Sequence, residues 1–271
     1  AALGLYSLYS NTTGSSNTAV GATALQSNTT GGYNTANGTY ALQANTTGSK
    51  NTAHGYQALY SNTTASSNTA DGYHALKLNT TGSYNTATGA WSLYQNSTGS
   101  FNTASGYRVL YSNTTGAENT ASGRYVLKEN TTGSNNTASG SQAMRYNTTG
   151  GSNTASGYWA LRANTTGTKN IGLGAGAGDA ITTGSNNTII GDYAGTTTLA
   201  GTVVIAAGTT ERLKIDASGI QVNGAALASG ATSINGLTDG YNAGNSVGLG
   251  TNALANDDGT TNNNTAVGHN A

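Results

Sequence analysis

The feature that most constrains this chain is a repeat of 17 residues that runs without insertion or deletion through much of its length. The motif Asn-Thr-Ala-x-Gly recurs from Asn17 to Asn153, and a second motif, Asn-Thr-Thr-Gly, recurs at the same step from Asn11 to Asn164. Such a unit is too short for a pair of helices, but it suffices for one coil of a solenoid whose strands stack about 4.8 Å apart. We therefore predict an all-β chain, a parallel β-solenoid, and, because 17 is not a multiple of six, a flattened β-roll with two sheets rather than a three-sided coil.

The consensus N-T-A-x-G-x-x-A-L-x-x-N-T-T-G-x-x also indicates which side chains face inward. Alternate residues of a strand share a face, so the Asn and Ala of Asn-Thr-Ala-x point one way, and the Thr and the variable residue point the other. The Ala, and a Leu that recurs from Leu25 to Leu161 with Met144 in one coil, are expected inside, where stacked Asn amides would hydrogen-bond along their column. One Leu per coil is a thin core, so we expect a homotrimer in which the Leu column is buried and neighbouring chains cover part of it.

The repeat weakens towards the C-terminal part of the chain and then resumes. Residues 196–235 contain β-branched alternation at 202–205 and 213–215, then a turn at 216–219 and a further strand at 220–222. This pattern predicts an inserted β-hairpin module. The predicted organisation is a 17-residue-repeat β-roll over 1–195, the hairpin module over 196–235, and resumed β-roll repeats over 236–271, with a step of 18 residues from Gly250 to Gly268.

Composition and charge exclude several classes of protein. The chain has 40 Gly, 47 Thr and 34 Asn but few large apolar residues, and ten Lys and Arg balance ten Asp and Glu. A neutral chain lacks the basic surplus of nucleic-acid-binding proteins, and its apolar runs are far shorter than the roughly 18 residues that span a membrane. We therefore expect no nucleic-acid partner, no membrane insertion and no enzyme, and without Cys the chain cannot hold a thiolate metal site.

Three short patterns resemble chemical sites, and each has a simpler explanation. His54 and Asp71 occupy the same place in successive coils, which predicts an exposed polar pair without a nucleophile or a pocket. The glycines of 172–178 stay in phase with the repeat and lack the strand–helix context of a dinucleotide fingerprint, so close coil packing explains them better. The sequence Asn-Asp-Asp-Gly at 256–259 does not match the spacing of a calcium loop. We expect no catalytic residues, no bound metal and no cofactor.

Aromatic residues recur at outward positions of the repeat, after the motif Gly and after the Leu. Tyr73, Trp91 and Tyr107 fall in successive coils, and Tyr158 and Trp159 form a second group. Rings beside Asn, Thr and Gln suit glycan binding, because a ring covers the apolar face of a sugar while amides and hydroxyls bond its hydroxyl groups. The same rings could instead stack on one another and stiffen the solenoid, so two interpretations stay open. If a glycan binds, we expect it at these five residues.

The N-T-A-x-G-x-x-A-L repeat resembles the head repeats of trimeric autotransporter adhesins and repeats of bacteriophage tail fibres. Residues 245–250, Asn-Ser-Val-Gly-Leu-Gly, are the stretch most similar to the adhesin theme. Residues 211–219, Glu-Arg-Leu-Lys-Ile-Asp-Ala-Ser-Gly, are similar to a stretch common in phage tail fibres. The resemblance implies a left-handed parallel β-roll in a trimeric fibre.

The resemblance also implies two settings for the chain. The leading hypothesis is a structural fibre segment on the virion surface of a phage tail, with a host-surface glycan or receptor as its ligand. The alternative is the head of a trimeric autotransporter adhesin on a bacterial cell surface, and coiled-coil heptads in the flanking sequence would favour it. A third hypothesis is ice binding by the Thr column that includes Thr18 and Thr35, but the adjacent outward position varies from coil to coil.

Overall fold

A computed structural model describes residues 1–223, 225–226, 247–249 and 265–267 of the chain. These residues form short β-strands joined by turns, with no helix among them. The chain divides into two compact units, Ala1–Glu211 and Arg212–Ala271. The strands are β1 Ala2–Leu3, β2 Thr18–Val20, β3 Thr35–Asn37, β4 Thr52–His54, β5 Thr69–Asp71, β6 Thr86–Thr88, β7 Thr103–Ser105, β8 Thr120–Ser122, β9 Thr137–Ser139, β10 Thr154–Ser156, β11 Ile171–Leu173, β12 Thr188–Ile190, β13 Val203–Ala207, β14 Thr210–Asp216, β15 Gly219–Val222, β16 Ala225–Ala226, β17 Val247–Leu249 and β18 Thr265–Val267.

In the first unit, strands β1 to β13 pair in chain order, and each pair is parallel. The partner of a strand residue lies one repeat further along the chain, as in Thr35 with Thr52 and Ala36 with Ala53. The sequence separation between the last two paired strands is shorter than one repeat, since Thr188 of β12 pairs with Val203 of β13. The prediction of an all-β parallel β-solenoid built of 17-residue coils is confirmed.

The structure differs from the predicted roll in having one strand per 17-residue coil rather than two. Opposite the sheet, the chain forms turns, in which Thr23 has φ 56° and Leu25 has φ 52°. These angles belong to the left-handed region, which β-strands do not use. The turns still bond from coil to coil, and the Leu25 N–H donates to the Ala41 carbonyl at 3.0 Å. The solenoid therefore has one wall of parallel strands and one wall of hydrogen-bonded turns.

The Leu column lies inside the coils of a single chain. From Leu25 to Leu161, and including Met144, these side chains are 0% exposed, and Ala residues of the strands and turns pack around them. Burial of each Leu contributes about 2 kcal/mol. The prediction that the column is buried is confirmed. The expectation that neighbouring chains cover part of it is wrong, because one chain encloses it completely, and the trimer stays a prediction.

Two columns of buried Asn run beside the Leu column. The strand Asn column extends from Asn17 to Asn187, and the turn Asn column extends from Asn11, which is half-buried, to Asn164. In the turn column, the Nδ2 of Asn28 donates to the Oδ1 of Asn11 at 2.7 Å and to the Gly31 carbonyl at 2.9 Å, and later coils repeat this pattern. In the strand column, each Oδ1 accepts a bond from the backbone N–H of the next Asn. The predicted Asn ladder is confirmed, and it satisfies amides that are costly to bury without partners.

One coil late in the first unit departs from the consensus. Gly178 replaces the Leu, and Ile181 replaces the turn Asn and is fully buried. A Cβ on Gly178 would lie 3.2 Å from the Ile181 side chain, so Ile181 fills the space of the missing Leu. The turn Asn ladder ends there, and the buried Oδ1 of Asn164 has no hydrogen-bond partner in the part of the chain that the structure describes. A Cβ on Gly172 would lie 2.9 Å from Leu161 Cγ, which supports close coil packing as the explanation of this Gly-rich stretch.

The second unit has a different topology in its described part. Strands β14 and β15 pair antiparallel, with Leu213 opposite Val222, and in the turn between them the Ser218 N–H donates to Asp216 Oδ1 at 2.8 Å. Strands β17 and β18 pair parallel, with Val247 opposite Thr265. The boundaries predicted at residues 195 and 235 stay predictions. Most of the predicted roll over 236–271, including the Asn-Asp-Asp-Gly turn at 256–259, lies outside the described residues.

Candidate ligand-binding face

Aromatic and cationic side chains cover the outer surface of the wall of turns. They come from three outward places in each coil: the two residues after the strand Gly and the residue after the Leu. The buried Ala-Leu pair between these places holds each turn against the core, as Ala75 and Leu76 do between His74 and Lys77. We call this surface the aromatic face; over residues 1–162 its members are Tyr6, Tyr9, Tyr40, Tyr56, Tyr60, Tyr73, His74, Lys77, Trp91, Tyr94, Tyr107, Arg108, Tyr111, Arg124, Tyr125, Lys128, Arg145, Tyr158, Trp159 and Arg162.

The structure brings together the three aromatic residues that the sequence places in successive coils. The Trp91 ring lies 5.3 Å from the Tyr73 ring and 5.6 Å from the Tyr107 ring, in nearly perpendicular edge contacts. Tyr73 is 45% exposed and Tyr107 is also exposed, whereas Trp91 is half-buried between them. The rings thus pack on one another, as the stacking interpretation predicts, and glycan binding at the two exposed rings stays a prediction.

Polar contacts fix the position of Trp91. Its Nε1–H donates to His74 Nδ1 at 3.1 Å, so this nitrogen carries no proton and His74 is the neutral Nε2–H tautomer. Burial, and after it the charge of Lys77, lowers the pKa of His74, which favours the same neutral form. The Arg108 guanidinium lies 4.9 Å from the centre of the Trp91 ring, within the range of a cation–π contact. The indole is therefore held by a hydrogen bond at its edge and by a cation over its face.

The second predicted group is also assembled. Tyr158 and Trp159 stack with their ring centres 4.6 Å apart, and Tyr158 is 49% exposed. The Arg162 guanidinium lies 4.1 Å from the centre of the Trp159 ring. Both Trp residues thus have a guanidinium against the ring, and the neighbouring Tyr residues present the more exposed aromatic surface.

Sequence reasoning missed the charge of this face. Six of the ten Lys and Arg residues belong to it, namely Lys77, Arg108, Arg124, Lys128, Arg145 and Arg162. Glu129 follows Lys128 directly and pairs with it. The summed charge of the chain is zero, which concealed this grouping. The available signal was the repeat register, because all six cations occupy the three outward places that also hold the aromatic residues.

A groove runs along the solenoid beside the aromatic face. It has a volume of about 720 Å³ and crosses several coils. Its lining combines a column of Thr residues with residues that come directly after members of the aromatic face in the sequence. Among these are Gln95, Ser112, Glu129 and Tyr146. The Arg145 guanidinium lies 5.1 Å from the Tyr146 ring and so connects the groove to the face. The size and the mixed lining suit a segment of a sugar chain or another small polar ligand.

The other patterns that the sequence singled out form no further site. His54 and Asp71 are partners in β4 and β5 and are both exposed, as predicted. Within the described residues, no three His, Asp or Glu side chains come close enough together to hold a metal ion. The same part of the chain contains no helix that is long and apolar enough to cross a bilayer. No protein-family model, curated protein or solved structure matches this chain, so any proposal about its function rests on its own residues and geometry.

Proposed function

We propose that this chain is a non-enzymatic segment of a trimeric fibre on the surface of a phage virion, and that its aromatic face binds a glycan on the host surface. The observation that carries the binding part of the proposal is the placement of exposed Tyr rings along one wall of a regular rod, whereas the phage setting rests on the resemblance of residues 211–219 to tail-fibre sequences. Tyr73, Tyr107 and Tyr158 offer apolar faces to sugar rings, and the adjoining groove offers amide and hydroxyl groups to sugar hydroxyls.

The hydrogen bonding of the solenoid supports a role as a rigid rod. Each coil is bonded to the next through the parallel strands, through the turns and through two columns of Asn side chains. Such a stack resists bending because a bend would have to open several of these bonded columns together. A fibre that holds a binding surface away from a virion needs this stiffness.

Association with copies of itself is supported by an apolar patch on the sheet. The outward positions of β6 to β10 hold only Thr and Ser, but those of β11 to β13 include Ile171, Leu173, Ile190 and Ile205, each close to 40% exposed. A contiguous apolar patch at one level of a rod favours a partner presenting the same surface. We expect a sedimentation mass of three chains, and a stably folded single chain would contradict this part of the proposal.

The binding part of the proposal is tested by the double variant Trp91→Ala, Trp159→Ala. Loss of both rings removes the supports of the exposed Tyr residues, while the buried Leu and Asn columns are untouched. We expect weaker binding to host cells or isolated surface glycan with an unchanged circular dichroism spectrum. The matched control is Tyr84→Ala with Phe101→Ala, a stacked pair outside the aromatic face whose ring centres are 4.9 Å apart. Equal binding by wild type and the Trp variant would place recognition elsewhere on the fibre.

A further inference from the structure

We infer that the glycan bound by the aromatic face is an acidic polysaccharide that carries carboxylates, such as one containing uronic acids. The inference rests on the proposed function and goes beyond it by naming the ligand class. The face is cationic in a chain whose formal net charge is zero.

The cations are arranged in a line along the rod. Lys128, Arg145 and Arg162 occupy the same place in three successive coils, so the repeat spaces them about 4.8 Å apart along the axis. Like charges at this separation repel one another unless anions lie between them. Lys128 has Glu129 beside it, and Asp179 follows Arg162 in the next coil of the same column. Arg145, in the middle, forms no ion pair with any described residue.

Two further cations lie beside this line, Arg124 in the coil of Lys128 and Arg108 in the coil before it, and they too form no ion pair within the described part of the chain. Their guanidinium groups lie over aromatic rings instead, 4.9 Å from the centre of Trp91 and 4.7 Å from that of Tyr125. A guanidinium that lies over a ring keeps its N–H groups directed outward in its own plane, where a carboxylate can accept two of them. The face therefore presents oriented donors for planar anions.

Several N–H donors of this surface have no acceptor among the described residues. They are the Nε–H groups of Arg108, Arg145 and Arg162, which neighbouring atoms cover, and the indole N–H of Trp159. Donors without partners are costly, so an anionic ligand that draws the guanidinium groups towards it relieves part of that cost. A neutral glycan would give these donors weaker acceptors.

The lining of the adjoining groove favours a sugar polymer over a single-stranded nucleic acid. Proteins bind such strands by stacking successive bases on aromatic rings. The two largest rings, Trp91 and Trp159, each already have a guanidinium over a face, which leaves the exposed Tyr rings for a ligand. Gln95, Ser112 and Tyr146 in the adjoining groove supply partners for hydroxyl groups, which a polysaccharide has at every residue.

The test compares polygalacturonate with fully methyl-esterified polygalacturonate, which keeps the sugar chain and lacks the charge. Binding to immobilised polymer is measured for the full chain by biolayer interferometry at two salt concentrations. The face variant is Arg108→Gln, Arg145→Gln, and the control is Lys50→Gln, Lys169→Gln, which removes two positive charges from exposed turns outside the face. Circular dichroism verifies that both variants are folded.

We expect the wild type and the control to bind polygalacturonate but not its ester. Their binding to polygalacturonate should weaken at high salt. The face variant should lose at least tenfold in affinity for polygalacturonate. Equal binding of acid and ester, no binding of the acid, or an equal loss in the control would overturn the inference. Tighter binding to oligothymidylate than to polygalacturonate would assign the face to nucleic acid instead. Failure of this inference can be distinguished from failure of the proposed function. If attachment to host cells depends on Trp91 and Trp159 but polygalacturonate and its ester bind equally, the proposed function is retained and only the inference about charge is overturned.

Discussion

At the scale of single residues, the coil is shaped by positive φ angles at residues that are not Gly. The first complete coil has three, at Ser16, Thr23 and Leu25, and later coils repeat them. Each such residue costs on the order of 1 kcal/mol or more and persists only where its surroundings determine it. Here the surroundings are the buried Leu and Asn columns. Where the chain does use Gly at two of these places, at Gly176 and Gly178, the Leu is also lost and Ile181 takes over its volume.

Two columns of Gly differ in how strictly they need Gly. Gly89 has φ 114°, and a Cβ there would lie 2.5 Å from the Gly106 carbonyl oxygen. Gly99 has no positive φ, although its Cβ would meet Gly116 O at 2.3 Å, and its equivalent in another coil is Ala65, which is buried. We predict that Gly89→Ala lowers the free energy of unfolding by about 3 kcal/mol and Gly99→Ala by about 1 kcal/mol, measured by urea denaturation. Equal losses would mean that backbone conformation does not distinguish the columns.

The turn Asn column allows a direct test of the ladder. Asn113 donates to Asn96 Oδ1 at 2.7 Å and accepts from Asn130 Nδ2 at 2.8 Å. Asn113→Ala leaves one buried acceptor and one buried donor without these partners, so we predict a loss of about 3 kcal/mol in the free energy of unfolding. The control, Asn37→Ala on the exposed side of β3, should change it by less than about 0.5 kcal/mol. Similar values for the two variants in chemical denaturation would show that the ladder adds little.

At the scale of elements, the sequence predicts the strands better than the turns. Asn-Thr-Ala-x has the alternation of a half-buried strand, and β2 to β10 lie at its Thr-Ala-x residues. The Ala-Leu side has no such alternation, and its reversals occur at residues such as Thr23 and Leu25, whose type does not indicate a positive φ. The face shows the same division. The grouping of Tyr73, Trp91 and Tyr107 follows from the repeat register. The cationic character of the face is recognised only when charges far apart in sequence are mapped onto one wall.

Within the aromatic face, His74 should make the environment of Trp91 sensitive to pH. Because the fold lowers the pKa of His74 from 6.5, the neutral form stabilises the fold above that value, and this contribution is lost as the pH falls through the lower, folded pKa. Protonation of Nδ1 removes the acceptor for the indole N–H. In a Trp159→Phe background, Trp91 fluorescence should therefore change with a midpoint below pH 6.5.

Two variants identify the group responsible for that transition. His74→Gln should abolish it, because an amide does not titrate in this range. Lys77→Gln should move the midpoint upwards, because the charge of Lys77 is the second cause of the lowered pKa. A midpoint at or above 6.5 in the parent would show that the imidazole is not held in its neutral form.

At the scale of the whole molecule, the first unit is built in one dimension, since each coil bonds only to the coil before it and the coil after it. Its stability is then close to a sum of coil and interface contributions, and a coil can be removed without affecting distant ones. Register, however, must be kept. A shift of one residue turns every strand side chain to the opposite face, which would expose the Ala and Asn of the strand and bury its Thr.

Two deletions of nearly equal length should therefore have opposite outcomes. Removal of residues 120–136, one full repeat of 17, joins Asn119 to Thr137 and restores Asn-Thr-Ala-Ser-Gly, so both Asn columns and the Leu column stay aligned. We expect an unchanged circular dichroism spectrum per residue, a melting temperature within a few degrees of the wild type, and a rod shorter by about 4.8 Å. Removal of residues 121–136 leaves one extra Thr before Ala138 and should sharply lower the melting temperature. Equal stability of the two variants would mean that the junction slips back into register, and the Asn and Leu columns would then not determine which residues pair.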